Sequence, residues 1–191
     1  MTKEDQRYGR DKSTIVNKTY IESGEYRRKF DGIVDSPQIV RILYYLAKEM
    51  LFHRSGTHIE DMYWLDGDTG DVVASITKQP DDILHKIIYT DTIKKAIEGR
   101  ENLITLHTHP ASMPPSPGDF NTYYQNGYGI SLVICHDGTI FQYESNQMIS
   151  EELFALREAE FIERGYGERD AQISALKVIK RSYDIDFWEV L

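Results

Sequence analysis

Apolar residues at Ile39, Val40, Leu43, Leu46, Ala47, Met50 and Leu51 recur at helical spacing directly after Ser36-Pro37. Serine is a strong N-cap and proline fits the first helical turn, so the pattern predicts a helix that opens there and ends at HRSGTH. DMYWLD and DVVASIT read as strands of a hairpin about GDTG, and ILHKIIYT reads as a further strand. TDTIKKAIEGR predicts a short amphipathic helix with Gly99 near its end, and NLITLHTH a strand leading into a proline-rich loop. Ser116-Pro117 repeats the cap-plus-proline start for a helix over PGDFNTYYQN, and ISLVICHDGTIFQYE supplies two strands about HDGT.

The ends of the chain have a different texture. Residues 1–35 are polar with scattered aromatics and no sustained period, which suggests a flexible lead followed by an extended arm. From 149 to 191 the pattern predicts two helices broken at GYG and an apolar terminal segment, a C-terminal helical extension. The central span, 36–148, then carries an α/β domain: a mixed β-sheet flanked by helices, with extra helices at the C-terminus.

Composition narrows the classes. The 191 residues can bury a core without staples, and the 31 acidic against 22 basic residues argue against a nucleic-acid surface. YRRK at 26–29 is too short and too mixed with acids to change that. One cysteine, Cys135, excludes an internal disulfide and a thiolate-rich metal cluster, and its apolar setting predicts a buried structural thiol. The N-terminus lacks an apolar signal region and no stretch reaches membrane-span length, so no membrane partner and a cytoplasmic location are expected. The oligomeric state is left open.

The chemistry concentrates in LHTHPASMPPSPGDF, residues 106–120. Alternate residues of a strand share a face, so His107 and His109 can present imidazoles to one point. An isolated H-x-H also arises where one histidine packs and the other caps a strand end. Prolines stiffen the loop that delivers the chain to Ser116, with Asp119 three residues on. S-x-x-D is a capping pair, yet the same geometry aims a carboxylate at the strand end. Two histidines and an aspartate leave one tetrahedral position unfilled, the pattern of a catalytic zinc. Glu60, at the entrance to a neighbouring strand, is the candidate proton acceptor, with Asp61 and Glu49 as rivals and His58 as a bordering residue or further ligand. Tyr123, Tyr124 and Tyr128 are candidates for a substrate groove.

HTHP, then PS, then D, with a distant upstream glutamate, resembles the motif of the JAMM metalloproteases, also called JAB or MPN+. That family includes eukaryotic deubiquitinating isopeptidases and many bacterial and phage-associated proteins. The resemblance covers roughly residues 36–145 and implies a three-layer α/β fold like that of cytidine deaminases. It implies Zn2+ held by His107, His109 and Asp119, Glu60 as general base, and Ser116 at the oxyanion. The loop from His109 to Ser116 is one residue shorter than in the eukaryotic isopeptidases, like the short-loop form of some bacterial members. There is little room for the insertions that ubiquitin-chain-specific members use, so ubiquitin itself is not carried over. The implied function is zinc-dependent hydrolysis of a peptide or isopeptide bond, with a peptide or protein substrate that could carry a ubiquitin-like tail. The alternative is a non-catalytic JAB-like module that binds a partner. A zinc deaminase is disfavoured, because the chain has no P-C-x-x-C pair.

Overall fold

A computed structural model describes residues 11–80 and 83–191. The described chain opens with a 3-10 turn, Lys12–Thr14, and two short helices, α1 (Lys18–Ile21) and α2 (Gly24–Arg28). This corrects the expected extended arm; the flexible lead expected over residues 1–10 lies outside the described residues. Side-chain caps from Asp11, Asn17 and Ser23 restart the helix every few residues, so no single period emerges. Val16, Ile21, Tyr26, Phe30 and Ile33 nevertheless all enter the core.

Helix α3 (Pro37–Arg54) starts at the Ser36 cap, and all seven residues of the expected apolar face are buried. The hairpin follows as strands β1 (Met62–Asp66) and β2 (Val72–Ile76). ILHKIIYT, residues 83–90, forms no strand, contrary to expectation. Its backbone is occupied by a side chain instead: Gln79 Nε2 donates to the Lys86 carbonyl, and Gln79 Oε1 accepts from the Ile88 amide. His85 adopts a left-handed φ of 54°, which interrupts any extended run.

Next come α4 (Asp91–Ile97), β3 (Leu103–His109), α5 (Pro117–Asn126), β4 (Ile130–Cys135) and β5 (Ile140–Ser145). Gly127 closes α5 in the left-handed conformation, φ 63°, that glycine adopts without steric cost. Helices α6 (Glu151–Glu163) and α7 (Glu168–Ile179) flank GYG as expected. The apolar terminal segment forms a strand: Ile185–Glu189 is β6, antiparallel to β5, so the expected C-terminal helical extension also contributes to the sheet. Val190 then donates its amide to the Ile140 carbonyl and packs into the core behind the sheet.

The six strands form one mixed sheet in the order β2-β1-β3-β4-β5-β6. Only β3 and β4 run parallel, because α5 carries the chain across between them. Strand alternation divides the faces. Leu65, Ile104, Leu106, Leu132, Ile134 and Ile140 face α3 and the N-terminal turns. Val133, Cys135, Phe141 and Tyr143 face the opposite side, where they pack with Phe120 of α5, Phe154 of α6 and Leu176 of α7. Each fully buried side chain of this size contributes about 1.5–3 kcal/mol. Cys135 is buried, as expected, and burial raises its thiol well above the ordinary value. No helix among the described residues is long and apolar enough to cross a membrane.

Candidate metal centre

Strand β3 pairs antiparallel with β1, with Met62 opposite His107, and parallel with β4, with Val133 opposite His107 and Cys135 opposite His109. The two histidines therefore emerge on the α5–α7 side at the carboxyl end of β3, with Glu60 entering β1 beside them. A short loop returns the chain to Ser116, where a capping box forms. Asp119 accepts from the Ser116 amide at 2.7 Å and from the Ser116 hydroxyl at 2.8 Å, both through Oδ2. Ser116 Oγ in turn accepts from the Asp119 amide at 3.2 Å. The cap read from the sequence is thus real, and it coexists with the second reading.

Asp119 Oδ1 lies 3.2 Å from His107 Nε2, and Oδ2 lies 3.6 Å from His109 Nε2. The two Nε2 atoms are 3.0 Å apart. Ligands about 2.0–2.1 Å from a tetrahedral zinc stand about 3.3–3.4 Å from one another, so the separations suit a small cation. His109 Nδ1–H donates to the Met113 carbonyl at 3.0 Å, which leaves the Nε2 lone pair free for coordination. The Nδ1 of His107 has no partner among the described residues. His107, His109 and Asp119 are thus a group competent to hold a metal ion, with donor atoms within 4.8 Å of one another.

The electrostatics point the same way. Burial drives His107 toward neutrality, but Asp119 and then Glu60 outweigh it and raise its pKa. Burial, then the His107 charge, lowers His109 to about 4. Burial alone would raise Asp119; His107, His109 and the Ser116 amide reverse this and hold the carboxylate far below its usual range. Below the ordinary histidine value of 6.5, a proton on His107 is therefore held between a neutral imidazole and a carboxylate. A cation entering the group has to displace it.

Glu60 is buried and shares a cavity of about 350 Å³ with the three ligands and Ser116. Burial is the main cause that raises its carboxyl to about 8; His107 opposes the rise and Asp119 adds to it. Its backbone is fixed through its neighbour, because Asp61 exchanges two hydrogen bonds with Thr108, the residue between the histidines. The rivals point elsewhere. Asp61 binds Arg54 at 2.6 Å and His53 at 2.7 Å, and Glu49 accepts from Tyr45; both acids line a separate groove with His53. His58 pairs with Asp11 at 2.7 Å and stands outside the metal-binding group.

Of the three candidate tyrosines, Tyr128 lines the cavity, Tyr124 is exposed, and the Tyr123 ring packs against Tyr128 and Tyr143. Sequence reasoning missed Met62, Ile87, Tyr89 and Tyr143 as cavity walls. Strand alternation carried a signal for Met62, two residues after Glu60, and for Tyr143, two after Phe141. Tyr89 carried none, since its segment read as a strand. No family model, curated protein or solved structure matches the chain.

Proposed function

We propose that this chain is a zinc-dependent metallopeptidase of the JAMM kind, hydrolysing a peptide or isopeptide bond. The observation that carries the reading is the meeting of Glu60 with His107, His109 and Asp119 in one cavity. A structural site has no need of a buried carboxylate beside its ligands, whereas hydrolysis needs a proton acceptor there. Zinc, held by the three ligands, would supply Lewis-acid charge that polarises the amide carbonyl and acidifies water. The JAB-type three-layer architecture is part of this reading, and the mixed sheet with helices on both faces is compatible with it.

Glu60 accepts the proton of the attacking water as the oxygen–carbon bond forms. It returns that proton to the nitrogen as the carbon–nitrogen bond breaks, leaving an amine and a carboxylic acid, which gives up the second proton of the water to solvent to become a carboxylate. Ser116 holds Asp119 in place through two hydrogen bonds to one carboxylate oxygen. The remaining cavity wall is mostly apolar and aromatic, with Met62, Ile87, Tyr89, Tyr128 and Tyr143 among its residues.

The test is elemental analysis of the purified chain with turnover of an internally quenched peptide pool. About one zinc per chain is expected, lost with activity on chelation. Glu60→Gln is expected to keep its zinc and lose about 10²–10⁴-fold in turnover. Full activity in that variant, or a wild-type chain with no stoichiometric metal, sinks the reading.

A further inference from the structure

The hydroxyl that would ordinarily be assigned to the oxyanion is already engaged. Ser116 Oγ directs its proton to Asp119 at 2.8 Å and spends a lone pair on the Asp119 amide. Releasing that proton toward a substrate would cost the cap a bond and the ligand part of its support. The cavity nevertheless holds another hydroxyl, that of Tyr89.

A chain of donors orients it. The indole of Trp64 can only donate, and it donates to Tyr128 Oη at 3.0 Å. Tyr128 is buried, so its own proton needs an acceptor; Tyr89 Oη, at 3.2 Å, is the one in reach among the described residues. The Tyr89 proton is then left facing the cavity, where its other partner is the weakly accepting sulfur of Met62 at 3.6 Å. Met62 is the strand partner of His107, and Tyr89 lines the same cavity as the histidine pair. Burial first, and the neighbouring Tyr128 second, raise the Tyr89 phenol far above its ordinary value, so it remains a neutral donor.

The same segment is tied to the base. Gln79 Nε2 donates to the Glu60 carbonyl at 3.2 Å while Gln79 Oε1 accepts from the Ile88 amide at 3.0 Å. One side chain thus links the backbone of Glu60 to that of the residue before Tyr89.

We propose that Tyr89 is a catalytic residue, whose hydroxyl donates a hydrogen bond to the substrate carbonyl oxygen and to the oxyanion it becomes. This rests on the hydrolytic reading above and extends it to a residue outside the motif. Tyr89 transfers no proton; it adds a fixed donor where charge develops, and Trp64 and Tyr128 preset its direction.

The test compares zinc-loaded wild type with Tyr89→Phe, using the quenched peptide pool and, separately, acetohydroxamate binding by calorimetry. Loss of one preorganised donor predicts a kcat lower by about 100-fold, with KM raised by no more than about tenfold and zinc content unchanged. Acetohydroxamate, which presents a carbonyl oxygen without being turned over, is expected to bind about tenfold more weakly to the variant. A kcat within threefold of wild type, or unchanged acetohydroxamate affinity, overturns the assignment. Tyr89-dependent acetohydroxamate binding by a chain that cleaves no peptide overturns the peptidase reading and retains Tyr89 as a carbonyl donor.

Discussion

Glu60→Gln in the metal-free chain probes the electrostatics of the site without reference to turnover. Glu60 is 6% exposed, and burial is the main cause lifting its carboxyl from 4.5 to about 8. The folded state therefore holds this proton more tightly than the unfolded one. Its stabilising effect is complete below pH 4.5 and is lost as the pH rises through about 8. Relative to the acid limit, those two values amount to a loss of about 1 kcal/mol at pH 5, about 3 at pH 7 and about 5 above pH 8. Relaxation and water entry relieve part of a buried charge, so a net change of roughly 2–3 kcal/mol between pH 5 and 8 is expected. Glutamine keeps the shape and cannot ionise. Urea unfolding of both chains with a chelator, at several pH values across that window, measures the difference directly. Asp119 and His109 titrate in both chains and largely cancel; His107 loses the part of its rise that Glu60 supplies, which works against the Glu60 effect and is smaller. Wild type should weaken against the variant as the pH rises, and the slope should flatten with saturating zinc, whose charge favours the Glu60 carboxylate. A wild-type-minus-variant difference that stays constant across the window, or that runs the other way, refutes the reasoning.

Because His107 is held protonated at pH 6 and zinc also favours ionisation of Glu60, zinc uptake at pH 6 should release about one to two protons per chain, and about one in Glu60→Gln. Calorimetry in buffers of different ionisation heat measures this, and buffer-independent heats would contradict it. Behind the sheet, Asp61→Ala leaves Arg54 buried without its carboxylate and should cost about 3–5 kcal/mol in urea unfolding; a cost under about 1 kcal/mol would mean the pair is dispensable.

The fold was legible wherever a period ran long enough. The apolar face of α3, the hairpin about GDTG and the start of α5 at Ser36-like Ser116-Pro117 follow from local chemistry alone. The misses are tertiary overrides. ILHKIIYT has strand composition but no strand beside it, and Gln79 takes the hydrogen bonds a neighbouring strand would have supplied. DIDFWEVL alternates only over Asp184–Phe187, too short a run to decide between strand and loop, and the open edge of β5 gives it a ladder. The N-terminal turns are shorter than any window in which a helical period can be recognised, and their five core residues are visible only once α3 is in place.

The site was more legible than the wall around it, and the reason lies in Asp119. A first-turn aspartate after serine is a helix cap, and a carboxylate opposite two histidines is a ligand; sequence patterns treat these as competing explanations. The geometry makes them one. Oδ2 takes both bonds from Ser116, which fixes the carboxylate's rotation and leaves Oδ1 3.2 Å from His107 Nε2. The helix N-terminus adds favourable charge at the same point. The loop between His109 and Ser116 shows the same economy of parts. His109 reaches only as far as the Met113 carbonyl, which accepts its Nδ1–H and sets the tautomer. Ser112 bonds back to the strand end through the His109 carbonyl, so the loop turns tightly and still delivers Ser116 to the cap. The cap, rather than the loop, therefore sets where the Asp119 carboxylate sits.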